Sequence, residues 1–161
     1  LSNLGDIAQD KIDAILAKYP TKRSAVLPLC QLAQNEYGYM SAEAIRQVAG
    51  VLELDATEVQ GIVGFYTLLR EYPTGEYVIE VCNDLPCALR GADDFVEHVC
   101  QKLGVRPGET TADGKFTIET VMCVAACDKA PVAQINLEYY ENLDPVRFDE
   151  IVARLRNASD D

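Results

Sequence analysis

The side chains here whose types and spacing suit concerted chemistry are four cysteines. Cys82 and Cys87 form a C-x4-C pair, Cys123 and Cys127 form a C-x3-C pair, and 35 residues separate Cys87 from Cys123. Two thiolate pairs converging from separate loops are what a metal centre needs, and sulfur-rich ligation suits an iron–sulfur cluster or zinc. Structural zinc knuckles mostly use C-x2-C, a spacing neither pair has. Wider pairs suit a cluster in which two irons part the ligands. Spacing thus favours iron–sulfur and leaves zinc as the alternative. A dithiol redox enzyme would carry C-x-x-C, which is absent.

Other residues offer less. Cys30 and Cys100 stand alone at helical positions among apolar neighbours and read as buried free thiols. His98, the single histidine, lies on a predicted helix among charged residues and reads as a boundary side chain. With no second histidine, most hydrolase arrangements that set His beside a nucleophile are excluded. Asp84 and Asp128 neighbour the paired cysteines and read first as solvated loop acids, with tuning of a metal site as the alternative. No G-x-G-x-x-G or P-loop occurs, so a nucleotide would have to bind elsewhere.

The elements that must position the cysteines fall into two parts. Over 1–72 the apolar residues keep a helical period. Ile12, Ile15, Leu16 and Tyr19 share one face, with Pro20 as a stop. Val26, Leu29, Ala33 and Tyr37 mark a second helix ending at Gly38. Ser41 caps a third carrying Ala44, Ile45 and Val48, with Gly50 behind it. Asp55 and Glu58 have capping-box spacing for a fourth with Val59, Ile62, Val63 and Tyr66. These make a small helical bundle.

EYPTG at 71–75 breaks that period, and 73–161 reads as a second domain. A strand with Tyr77, Ile79 and Val81 leads into Cys82, and Phe116, Ile118 and Val121 lead a second strand towards Cys123. Between them 88–103 reads as a helix, placing Cys87 just before a helix N-terminus, where the dipole favours a thiolate. A hairpin around Asn136 and a helix over 148–155 close the chain, and 157–161 reads as a frayed end. The order β-α-β-β-β-α is that of a small α/β sandwich, so the whole is α+β. Pro86 and Pro131 stiffen the cysteine loops, while Ala88, Gly91, Ala125 and Ala126 leave room for backbone to approach inorganic sulfide.

Bulk properties bound the rest. At 161 residues, 48% apolar and 25% charged, the chain has the make-up of a globular protein. A net charge of −12 argues against nucleic acid as a partner, since phosphate backbones call for Lys and Arg. No apolar run reaches membrane-spanning length, so direct membrane insertion is not expected, and the first residues lack the basic start and apolar core of a secretory signal. Six cysteines would allow three disulfides in an exporting context. Without an export signal that reading ranks below metal ligation, and a reducing compartment is expected.

The segments VCNDLPCALRGAD, LGVRPGETTADGKF, VMCVAACDKAPV and YYENL together closely resemble the thioredoxin-like 2Fe–2S ferredoxin family. The helical part, with GYMS and GIVGFYTLL, resembles the members that serve as small iron–sulfur subunits of NADH-oxidising complexes. The resemblance implies a thioredoxin-like domain in which Cys82, Cys87, Cys123 and Cys127 ligate one 2Fe–2S cluster. It also implies a partner subunit holding FMN and NADH, with which the cluster exchanges single electrons, further iron–sulfur subunits, and docking through the bundle. The parent assembly implied is the NADH–quinone oxidoreductase of respiration, placing the chain in the cytoplasm on the peripheral arm of an inner-membrane complex. NAD-dependent formate dehydrogenases and NAD-reducing or bifurcating hydrogenases are the alternative. One departure stands out. Members commonly have Leu-Gly where this chain has Val124-Ala125, which bears on backbone torsion and on N–H donation to the cluster.

Overall fold

A computed structural model describes residues 2–158. The chain divides into two compact units, which meet between Pro73 and Thr74.

The first unit is helical: α1 (Leu4–Leu16), α2 (Val26–Tyr37), α3 (Ala42–Leu52) and α4 (Ala56–Phe65), with a 3-10 turn at Lys22–Ala25. Short polar side chains start these helices by accepting backbone N–H bonds that the first turn leaves unpaired. Asn3 accepts from Gly5 at 2.9 Å, Ser41 from Ala44 at 3.2 Å and Asp55 from Thr57 at 2.7 Å. Gly38 ends α2 at φ 84°. Gly50 does not end α3, which runs on to Leu52 and closes on Glu53 in a left-handed conformation. Of the apolar faces expected from the helical period, Ile12, Leu29, Ala33, Ala44, Ile45, Val48, Val59 and Val63 are buried in the core, joined by Leu4 and Met40, whereas Tyr19 and Tyr66 are exposed beyond the ends of α1 and α4.

The second unit carries a four-stranded sheet in the order β2-β1-β3-β4, with β1 Tyr77–Cys82, β2 Phe116–Val121, β3 Ala133–Ile135 and β4 Glu138–Tyr140. Strand β1 runs parallel to β2 and antiparallel to β3, and β3 is antiparallel to β4. Strand β1 is paired along both edges, and its residues from Val78 to Cys82 are buried on both faces, Glu80 included. Helices α6 (Ala92–Leu103) and α7 (Pro145–Ala158) pack through Phe95 and Phe148, whose rings meet edge to face at 5.6 Å. Burying two such rings contributes several kcal/mol, at roughly 2–3 kcal/mol each. Residues 159–161 of the segment read as frayed lie outside the described residues.

The helix expected from residue 88 differs. A one-turn helix, α5 (Leu85–Ala88), comes first, and α6 starts only at Ala92 after Gly91 at φ 87°. Gly91 breaks the helix by its torsion, and a Cβ there would meet no protein atom within 4 Å. Gly75 is the crowded glycine. A Cβ on it would lie 2.8 Å from the backbone of Lys115 and Phe116, so only glycine lets the entry to β1 run this close to β2.

Candidate metal centre

Strand β1 ends on Cys82, and Cys123 lies two residues past the end of β2. Since β1 and β2 are parallel neighbours, with Cys82 opposite Val121, both cysteine loops leave the same end of the sheet. The topology therefore brings together residues far apart in sequence. Cys87 arrives by way of α5, whose N-cap is Asp84, its carboxylate accepting from the Leu85 N–H at 2.9 Å. Cys127 opens a 3-10 turn at Cys127–Lys129. The peptide between Ala130 and Pro131 is cis.

Below the loops lies a small apolar cluster of Cys82, Cys87, Ala92, Val124, Ala130 and Val132. Cys82 and Cys87 are buried, while Cys123 and Cys127 are exposed. Cys82 and Cys127 both act on the Cys87 thiol, and Cys123 and Cys82 both act on Cys127, so the two cysteine loops bring their sulfurs within reach of one another. Burial first, then Cys82 and Cys127, push the Cys87 thiol up to about 12, against which a backbone bond from Val132 acts. The Cys127 thiol is also raised, by desolvation and then by Cys123, with smaller contributions from Cys82 and Asp84. Raised in this way, the Cys87 and Cys127 thiols would give up their protons most readily to a cationic centre bound at the sulfurs.

Two pairs of sulfurs suit a binuclear centre that takes two thiolates at each end. Backbone N–H groups already face sulfur: Ala125 N–H donates to Cys123 Sγ at 3.3 Å, alongside the Val132 contact to Cys87. Such donors favour an electron-rich sulfur.

The model of the thioredoxin-like [2Fe-2S] ferredoxin family matches residues 12–156. The chain belongs to that family. Among relatives of this ferredoxin, the E 2 subunit of the NADH-quinone oxidoreductase of Rhizobium meliloti is 37% identical over 150 residues, covering 93% of this chain and 89% of its own length. The E subunit of the NADH-quinone oxidoreductase of Rickettsia bellii is 42% identical over 146 residues, covering 89% of this chain and 87% of its own. The same-named protein of Mycobacterium bovis is 40% identical over 153 residues, which is 94% of this chain but 61% of that protein. A crystal structure of an NAD+-reducing [NiFe]-hydrogenase in the air-oxidized state shares the fold, with TM-score 0.70 at 22% identity over 81% of this chain and 23% of that one. The ferredoxin's cofactor is a 2Fe–2S cluster, and the four paired thiols fit it in number, chemistry and grouping.

Of the other sequence candidates, Cys30, Cys100 and His98 lie outside the cysteine loops, and Asp128 lies in the turn that Cys127 opens. Cys30 is fully buried in the helical unit, where burial pushes its thiol up to about 11. Cys100 is half-buried on α6. His98 Nε2 meets Asp149 Oδ1 at 2.9 Å, and Lys102 Nζ meets Asp149 Oδ2 at 2.6 Å, a clamp between α6 and α7. Asp128 is exposed, with Lys129 4.0 Å away. Sequence reasoning missed Tyr139, whose hydroxyl donates to the Val124 carbonyl at 2.9 Å. It also missed the Val132 N–H, since a backbone donor leaves no mark in the residue type.

Proposed function

We propose that this chain is the small electron-transfer component of an NADH–quinone oxidoreductase, complex I, in which Cys82, Cys87, Cys123 and Cys127 ligate the 2Fe–2S cluster. When bound, the cluster supplies a one-electron redox centre. The residues around it hold four sulfurs at one sheet end, bury one pair, leave the other pair at the surface and offer N–H groups to sulfur. None of these groups is a substrate acid or base, so the chain's part is electron exchange, with NADH and FMN held by the partner subunit. The observation that carries the reading is the sulfur constellation within a chain that is 37% and 42% identical, over about nine-tenths of its length, to E subunits of that oxidoreductase.

Docking is proposed at two apolar surfaces. Leu85, Leu89 and Met122, at 68, 78 and 75% exposure, rim the cysteine loops, where a partner would exclude water. In the helical unit, Phe65, Tyr66 and Leu68 are exposed at and just beyond the end of α4. A Cβ on Gly61 of α4 would meet nothing within 4 Å and one on Gly64 only the Glu71 carboxylate at 3.9 Å, and each glycine weakens an isolated helix by about 1 kcal/mol. Among the described residues no helix is long and apolar enough to cross a membrane; the place proposed for the chain, on the cytoplasmic peripheral arm, rests on its likeness to the E subunits. The formate dehydrogenase and hydrogenase readings have the weaker support, since the hydrogenase likeness is one of fold.

Purification of the tagged chain from its native host, without oxygen, tests the proposal. Expected are an NADH-oxidising flavin subunit and further iron–sulfur subunits in that preparation, and, for the chain isolated from them, about two iron and two sulfide per chain with an EPR signal on reduction. One zinc and no sulfide would sink it in favour of a zinc-stabilised interaction module. Hydrogenase subunits in the same preparation would move the chain to that assembly.

A further inference from the structure

The peptide unit joining Val124 to Ala125 is held at both ends. Its carbonyl accepts from the Tyr139 hydroxyl at 2.9 Å, and its N–H donates to Cys123 Sγ at 3.3 Å. Ala125 has φ 58°, the left-handed region that glycine enters freely and alanine only at a cost. Rotating this one peptide by half a turn would return Ala125 to negative φ and would lose both hydrogen bonds together. A strained conformation persists only where its surroundings hold it. Here the Val124 side chain is buried in the apolar cluster with Cys82 and Cys87. Tyr139 is fixed by its pairing with Gln134 across β3 and β4.

We propose that Tyr139 is a positioning residue that sets the reduction potential of the cluster through the Val124–Ala125 peptide. The proposal rests on Cys123 being a ligand. A hydroxyl bonded to the carbonyl polarises the same amide and strengthens donation from its N–H. Donation to a ligand sulfur favours the more negative, reduced state and so raises the potential. Tyr139 is 51% exposed, so removing its hydroxyl opens no core cavity. The alanine at position 125 gains a meaning: glycine would keep the left-handed torsion unaided, whereas alanine depends on Tyr139 to keep the amide aimed at sulfur.

The test is a redox titration, followed by EPR, of the full chain with its cluster. Tyr139→Phe is expected to shift the one-electron equilibrium about threefold towards the oxidised form, about 28 mV at 59 mV per decade. Adding Ala125→Gly to Tyr139→Phe is expected to recover at least half of that shift. A potential unmoved in Tyr139→Phe, or a double variant as low as the single one, overturns the proposal; a merely structural tyrosine would change melting or iron content without moving the potential. In the iron-free full chain, Tyr139→Phe is expected to speed hydrogen exchange of the Ala125 amide about threefold. An unchanged rate overturns the proposal even if that variant takes up no cluster. A wild-type chain without iron and sulfide, or a Cys123→Ser variant with an intact cluster, defeats the ligand reading itself, and this proposal with it.

Discussion

At the scale of single residues, the proposed ligation divides the six cysteines into two chemistries that substitution separates. Cys127→Ser removes one of the exposed pair, and the chain should lose its cluster chromophore and its reduced EPR signal; a normal signal would break the ligand assignment. Cys30→Ala should keep both. Its cost is packing, about 1–2 kcal/mol for the space left by a fully buried sulfur, read by denaturant unfolding of the full chain. Cys100→Ala should likewise keep the cluster. Gly75→Ala is the residue-scale test of the sheet, since its Cβ would meet the Lys115–Phe116 backbone at 2.8 Å and backbone cannot swing aside. A loss of about 1–3 kcal/mol in chemical denaturation is expected, and a neutral change would contradict the close approach.

At the scale of elements, the parallel pairing of β1 with β2 creates the site, and the α6–α7 clamp steadies the helices of the same unit. Lys102 first, and His98 after burial has worked against it, hold the Asp149 carboxyl below its ordinary range. The sign follows from that direction. A depressed carboxylate contributes its full stabilisation above the unfolded value of about 3.9 and loses it as pH falls through the lower folded value. Asp149→Asn should therefore cost about 0.5–1 kcal/mol at neutral pH, a modest figure because these side chains are partly exposed. The deficit should vanish in the most acid part of the unfolding profile, and an equal deficit at every pH would reject the clamp. Helix boundaries were where local reasoning erred. The apolar period runs through 88–103, but Gly91 at φ 87° splits it, so Cys87 sits inside a one-turn helix and not ahead of a long helix's N-terminus. At Gly50 the reverse happened: apolar Val51 and Leu52 pack on the helical core and carry α3 past the glycine.

At the scale of the whole molecule, the two units have separate cores, Leu29–Val48–Val63 in one and Ile79–Phe116–Phe148 in the other. Metal bound only by the folded state stabilises the unit that holds it. Chelating the iron should therefore speed amide exchange in 82–92 and 121–132 and leave exchange in 4–65 unchanged. Loss of protection across both units alike would contradict that separation.

The sequence by itself determined the class of the chemistry and the two-part organisation, because these depend on residue type and near-neighbour period. Four paired cysteines without C-x-x-C pointed to a metal, and the change of period after EYPTG separated helices from strands. Caps at Ser41 and Asp55 were legible for the same reason, since a side chain and an N–H two or three residues away decide them. Only the tertiary structure decided that the two pairs meet at one end of the sheet, which pair is buried and what aims at them. Those depend on β2 lying parallel beside β1, on torsions such as that of Ala125, and on the Tyr139 hydroxyl reaching Val124 across fifteen positions of sequence. Hydrogen bonds made by backbone groups leave no trace in residue type, and the chain reveals them only once folded.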